Sequence, residues 1–303
     1  REQGKPVIGF GAGEPDFPTP EYVVKDVQVA AEDTSNHKYS PVAGLTILKE
    51  EIVRTSKLYS GINVQQENIL VSNGGKHAIL TTFMSILNPG DEVLIPSPYW
   101  TTYPEAVKIS GGNPIIVDTE FDDDFKVNTD QLDALKTSKT KILVWVSPSN
   151  PTGVVYTKEE AEKIYNWAFE NNVWILSDEL YEHLVYEGMT SPSPAQYDTE
   201  LNNTIIINGV AKAYSMTGWR FGWIIANTDV IDMAKKIQSH ATSNVSNISQ
   251  IAAYSALKNG LNETKIMKES FNRRRLYAIE EFSNIENVNL IKSTGAFYLF
   301  PDV

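Results

Sequence analysis

Cysteine is absent from the 303-residue chain. Its absence removes disulfide staples, a thiolate nucleophile and zinc–thiolate centres, and it fits a reducing, cytoplasmic setting. No apolar run approaches the ~18 residues needed to span a bilayer. The opening stretch REQGKPVIGF lacks the apolar core of a signal peptide and reads as the end of a helix running into a strand. Positive charge is in short supply: 26 lysines and arginines stand against 38 acidic residues, a formal net charge of -12. That balance argues against a nucleic-acid partner or an anionic membrane, while leaving room for a local basic pocket that takes a small anion. Internal repeats and low-complexity tracts are lacking. So is a dinucleotide fingerprint, because Glu14 stands where the third glycine after Gly11 and Gly13 should be.

With 42% apolar and 10% aromatic residues, the chain can bury a substantial core as one large or two ordinary domains. Short strand-like runs, NILVSNG, DEVLIPSP, NPIIVD, KILVWVSP, VWILSDE, TIIING and FGWIIAN, alternate with helical stretches such as KHAILTTFMSIL and KEEAEKIYNWAFENN. Several of the runs are apolar throughout, which predicts an α/β large domain whose mainly parallel sheet is sandwiched by helices. Beyond Ile248 the strands stop and a helical pattern continues through ETKIMKESFNRRRLYAIEEFSN, before a last predicted strand, GAFYLF. The expected division is a large domain over residues 14–258 and a smaller, truncated α/β domain from residues 1–13 and 259–303. The run FDDDF, Phe121–Phe125, reads as a solvated turn.

Ligands of such sheets gather at the C-terminal ends of the strands, so the residues after each run carry the functional reading. NILVSN is followed by GGKH, Gly74–His77, opening an apolar helix. This is either a tight turn with Lys76 in solvent or a helix N-terminus whose free N–H groups favour a phosphate. DEVLIPSP leads to Trp100, which could stack on a flat ring or simply pack. KILVWVSPS leads to the turn NPTG, where the Asn150 amide could donate to a ring oxygen or a carboxylate. VWILS ends on Asp178, a carboxylate in apolar surroundings that needs a partner, and Tyr181 follows three residues on. Asp178, Glu179, Glu182 and His183 make a poor metal set, because neither a second histidine nor HExxH spacing supports them. TIIING leads to Lys212 and, eight residues further, to Arg220 between aromatics. Two cations in so apolar a neighbourhood ask for an anionic or electrophilic partner. A buried lysine, a buried aspartate, a stacking ring and an anion cradle together match one cofactor, pyridoxal 5'-phosphate. It needs a lysine for its Schiff base, an acid for its pyridinium nitrogen and anchors for its phosphate.

The ordered motifs GAGEPDFPTP, KYSPVAG, SNGGK, SPYW, SPSNPTG, SDELYEH, KAYSMTGWRFG and GAFYLF cover nearly the whole chain. By them the sequence resembles the class I, fold-type I pyridoxal-phosphate aminotransferases, in particular the bacterial aspartate aminotransferase subgroup that includes aspartate/prephenate aminotransferases. The resemblance implies that Lys212 carries the Schiff base and moves the substrate proton, and that Asp178 keeps the pyridine nitrogen protonated. Tyr181 and Asn150 would share the cofactor's phenolic oxygen, Asn150 also touching the substrate carboxylate, and Trp100 would stack on the ring. The backbone around Gly75 and Lys76, together with Arg220, would hold the phosphate. Tyr39 would reach the phosphate of a neighbouring subunit, implying a homodimer with shared sites, and the Gly13 backbone would lie near the substrate carboxylate. Gly209 stands where some relatives carry a phosphate-binding serine, so that contact is expected to be missing.

The implied reaction is a ping-pong transamination from aspartate or glutamate to a 2-oxo acid such as 2-oxoglutarate, with prephenate as an alternative acceptor. Lys76 would hold the substrate's side-chain carboxylate, because Ser239–Asn247, where many aspartate aminotransferases place an arginine, has none. The family continues beyond FYLFPDV to an arginine that clamps the α-carboxylate, and it carries a further leading segment. Both are expected to be missing from the stretch read here. Rival readings are another pyridoxal-phosphate reaction such as β-elimination, and the aminotransferase-like sensor domain of a transcription regulator. The second of these would carry a basic DNA-binding arm.

Overall fold

The computed structural model describes residues 9–303; the reading of the N-terminus as a helix end entering a strand falls largely on residues 1–8, outside the described residues. Helices α1 (Glu21–Glu32) and α2 (Thr46–Thr55) lead into β1 (Ile69–Ser72), α3 (Gly75–Ile86), β2 (Glu92–Pro96), α4 (Thr102–Ile109) and β3 (Asn113–Val117). The chain continues through α5 (Thr129–Leu135), β4 (Thr140–Val146), α6 (Lys158–Glu170), β5 (Trp174–Asp178), β6 (Thr204–Gly209), β7 (Gly222–Ile225) and α7 (Thr228–Ala241). It closes with α8 (Asn247–Asn259), α9 (Asn262–Ser283), β8 (Asn289–Leu290) and β9 (Pro301–Asp302). Helix starts follow local chemistry: Thr157 and Glu160 close a reciprocal capping box on α6, as Asn128 and Gln131 do on α5.

The seven strands β1 to β7 form one sheet in the order β1-β7-β6-β5-β4-β2-β3. Its pairs are parallel except those of β7, which runs antiparallel to both β1 and β6. Alternate residues of each strand feed opposite faces. Val144 and Leu176 pack with α3, α4 and α7, whereas Leu143 and Ile175 face α5 and α6. Near β1, β6 and β7 the second face is covered by α1, α2 and α8 through Leu48, Ile52 and Ala253. Both faces are therefore dry, and this explains the unbroken apolar runs of the sequence. Ile205, Ile206 and Ile207 are buried alike, each contributing about 1.5–3 kcal/mol of burial.

Past Ile248 the structure is helical through α9, but GAFYLF is not a strand. Gly295 makes an isolated bridge to Val185, Ala296 takes a left-handed φ of 53°, and the two-residue strand β9 begins only at Pro301. Tertiary packing overrides its aromatic β-propensity. The Gly295 N–H donates to Gly153 O and the Ala296 N–H to Leu184 O, so the segment is threaded between two loops rather than laid along an edge.

Candidate active site

Strands β4 and β5 end in register, Val146 opposite Asp178, and β6 ends one strand further along at Gly209. The loops that leave these ends carry the candidate residues to one edge of the sheet. Asp178 is the last residue of β5 and is buried. Its Oδ2 accepts from the Tyr103 hydroxyl at 2.7 Å and its Oδ1 from the Leu180 N–H at 3.3 Å. Burial pushes the Asp178 carboxyl above its ordinary range, opposed by the Tyr103 and Leu180 donors and by the charge of Lys212. Lys212 sits in the turn after β6. Its half-buried ammonium donates to the Gly13 carbonyl and lies 5.7 Å from the ring centre of Tyr181 and 5.8 Å from that of Phe297. Burial lowers the lysine's pKa, helped by Arg220 and opposed by Asp178 and Glu14, which favours a larger share of free amine.

Tyr181 is buried beside Lys212, its hydroxyl hydrogen-bonded to that of Tyr298. Asn150, just beyond β4, lines a small cavity together with Tyr99 and Tyr103. Trp100 meets Tyr103 edge to face, 5.7 Å between ring centres. The Lys76 ammonium lies 4.7 Å from the centre of the Trp100 ring and donates to Thr102 Oγ1 at 2.8 Å.

The glycine-rich turn opens α3. Gly74 caps the helix at φ 87°, ψ 166°, a conformation essentially confined to glycine. A Cβ at Gly74 would come within 2.8 Å of an Arg220 guanidinium nitrogen, and one at Gly75 within 2.7 Å of Leu180. Arg220, at a left-handed φ of 53°, thus brings its guanidinium to the helix N-terminus, where the first N–H groups have no intrahelical acceptor. The apolar setting expected for Arg220 is not found. The residue is exposed and only Lys212 is drawn into the interior. Among the described residues Asp178, Lys212 and Arg220 take part in no ion pair. At Gly209 a Cβ would meet the Phe221 carbonyl at 3.0 Å and Leu180 at 3.2 Å, so a side chain there would be crowded.

Two residues at the site went without a role in the sequence. Tyr103 follows Trp100 by three residues and shares its face at the start of α4, and that spacing was the available signal. Tyr298 lies within the quoted GAFYLF, but nothing in one dimension places it against Tyr181. Tyr39 is 90% exposed and reaches none of these groups within its own chain. Glu179 accepts from Ser177 and Ser193, whereas Glu182 accepts from Ser60 and Asn208.

A family profile described as aminotransferase class I and II matches residues 5–303. The chain is 48% identical over 301 residues to an aspartate aminotransferase of Streptomyces avermitilis, covering 99% of this chain and 74% of that protein. It is 40% identical over 305 residues to a probable aspartate/prephenate aminotransferase of Aquifex aeolicus, covering 100% and 77%. The crystal structure of the aspartate aminotransferase from Rhizobium meliloti superposes with a TM-score of 0.96 at 37% identity, over 99% of this chain and 75% of that one. The chain belongs to the class I and II aminotransferases, transaminases that depend on pyridoxal phosphate. Its site suits that cofactor: a side-chain-free cradle at a helix N-terminus beside a guanidinium, a buried carboxylate without a cation, and an amine of lowered pKa.

Proposed function

We propose that this chain moves the amino group of aspartate or glutamate to a 2-oxo acid such as 2-oxoglutarate. The observation that carries the substrate choice is the Lys76 ammonium, exposed beside the Trp100 ring and held by a neutral hydroxyl rather than a carboxylate. A cation so placed is open to a substrate's second carboxylate, and as a point charge on a flexible stem it tolerates several acid shapes. The aspartate and aspartate/prephenate specificities of the two relatives support the same reading.

Bound pyridoxal phosphate supplies an aldehyde that takes up the amino group and a ring that withdraws electrons from the substrate's Cα. Lys212 would bind the cofactor's aldehyde carbon and, once freed by substrate, would carry the proton between the substrate's Cα and that carbon; its lowered pKa suits it to both tasks. Asp178 would keep the ring nitrogen protonated, and the Tyr103 hydroxyl favours the ionised form of Asp178 and orients it. Tyr181 and Asn150 would donate to the ring's phenolic oxygen, and Trp100 would cover the ring. The backbone around Gly75 and Lys76, together with the Arg220 guanidinium, would hold the phosphate, leaving the Lys76 ammonium for the substrate. The Gly13 backbone and the Asn150 amide face the substrate carboxylate.

The exposed Tyr39 supports a homodimer in which each tyrosine completes the partner's phosphate site. The break between α8 and α9 at Gly260 supports a large domain over residues 14–258, with residues 1–13 and 259–303 forming part of a smaller one. Among the described residues no helix is long and apolar enough to cross a membrane, and together with the lack of cysteine this supports a cytoplasmic location.

The test is a donor panel with and without the lysine. Lys76→Ala should lower kcat/KM for aspartate by about 1.5 kcal/mol, roughly tenfold, the lower range for a charged hydrogen bond because the ammonium is exposed. Phenylalanine turnover should hardly change. Equal losses for both donors would assign Lys76 to the cofactor or the fold and remove the dicarboxylate reading.

A further inference from the structure

The segment Ser293–Tyr298 does more than close the chain over the sheet. Gly295 and Thr294 donate to Gly153 O, in the turn that begins with Asn150, and Ala296 donates to Leu184 O, in the loop that begins with Asp178 and Tyr181. The Tyr186 hydroxyl donates to Ala296 O, and the Arg275 guanidinium donates to Ser293 O. A Cβ at Gly295 would come within 2.5 Å of Pro148, so the strap fits only without a side chain there. It is pinned to two of the loops that build the site, and it ends by delivering Tyr298. The Tyr298 ring lies 5.6 Å from Tyr181 at 74°, its hydroxyl pairs with the Tyr181 hydroxyl, and that same oxygen would stand 2.8 Å from a Cβ on Gly13. Gly13 in turn accepts from Lys212.

We propose that Tyr298 is a positioning residue of the transamination site: its hydroxyl orients and polarises that of Tyr181, the group that donates to the cofactor's phenolic oxygen. The inference rests on the aminotransferase reading given above. Either hydroxyl can donate in the pair; once Tyr181 donates to the phenolic oxygen its own oxygen accepts from Tyr298, and a hydroxyl that receives a hydrogen bond donates a stronger one. That bond draws electron density from the phenolic oxygen and lets the neighbouring chromophore proton leave at lower pH. The other groups facing the pair are Asp178 from the end of β5, Tyr103 from α4, Lys212 from the turn after β6, and Glu14 beside Lys212. All of them stay in place when one phenolic oxygen is removed.

The experiment is a pH titration of the bound cofactor's absorbance in the wild-type holoenzyme, Tyr298→Phe, Tyr181→Phe and the double variant. Phenylalanine keeps the ring, and circular dichroism checks the fold. In Tyr298→Phe the titration midpoint should rise by roughly half to one pH unit, the equivalent of one neutral hydrogen bond. kcat should fall about three- to tenfold with KM little changed, as for a group acting in the chemical step. Tyr181→Phe should move the midpoint further in the same direction, and adding Tyr298→Phe to it should move it no more. An unmoved midpoint in Tyr298→Phe overturns the proposal, and so does a shift that simply adds in the double variant. A wild-type protein without cofactor absorbance would instead overturn the aminotransferase reading itself.

Discussion

Replacing Tyr103 by phenylalanine deletes one hydroxyl from a buried pair whose other member is the Asp178 carboxylate, 2.7 Å away. A hydrogen bond to a charged group contributes about 1.5–3 kcal/mol against about 1 kcal/mol for a neutral one, so its loss should raise the Asp178 pKa further. The direction of the pH effect follows. Asp178 already has a folded-state pKa above its ordinary value because it is buried. The folded protein therefore holds this proton where the unfolded chain has released it, and stability declines as pH climbs from the unfolded pKa through the folded one. Tyr103→Phe extends that decline to higher pH. Urea unfolding of the cofactor-free protein between about pH 4 and pH 8 should show a deficit of roughly 1 kcal/mol at the acidic end, where a protonated Asp178 loses only a neutral bond. The deficit should grow to about 2–3 kcal/mol at the alkaline end and then level off. With cofactor bound, the pyridinium supplies a countercharge and the difference should shrink. A deficit that is flat across pH would mean that the hydroxyl only fills space and that Asp178 is set by burial alone.

Glu179→Gln should stabilise the protein progressively as pH rises from about 4.5 to about 8, because burial and the nearby Glu182 charge push the native carboxyl to about 8 and wild-type stability is lost over that window; parallel stability curves would contradict it. Mixing Tyr39→Phe and Lys212→Ala subunits should restore part of the activity if each site borrows its partner's Tyr39, and a verified heterodimer that stays inactive would place the whole site in one chain. Gly74→Ala should destabilise the cofactor-free protein by about 1–3 kcal/mol, the strain of a glycine-only conformation, and should weaken cofactor binding as the new methyl displaces Arg220. Unchanged melting temperature and affinity would remove Gly74 from the cradle.

Much of this was legible in one dimension because both faces of the sheet are covered. Strands dry on both sides must be apolar throughout, so β2, β4, β5 and β6 announce themselves, and the polar residue that ends each run marks the edge where a ligand can sit. The rule fails where a segment is held by loops instead of neighbours in a sheet. GAFYLF has the composition of a strand, yet its backbone N–H groups find Gly153 and Leu184, partners more than a hundred residues away. Arg220 was misjudged for a related reason: flanking aromatics suggested an interior, but a left-handed backbone turns the residue outward over α3. Tyr103 and Tyr298 were silent because their partners, Asp178 and Tyr181, come from other elements.

The reversal of β7 has a mechanical consequence. Since β6 and β7 are antiparallel and paired from Ile206–Ile225 to Gly209–Gly222, the connection bearing Lys212 and Arg220 leaves and re-enters the sheet at the same end. The spacing between Lys212, proposed to bind the aldehyde, and Arg220, proposed to bind the phosphate, is therefore fixed by a short closed loop of chain whose two ends are hydrogen-bonded to each other. Gly13 and Tyr298 reach the site from outside this loop. Under the proposed roles, displacement of their segments would reshape the substrate's side of the site while the two proposed anchors, Lys212 and Arg220, keep their distance, as the jaw of a vice moves without disturbing its bed.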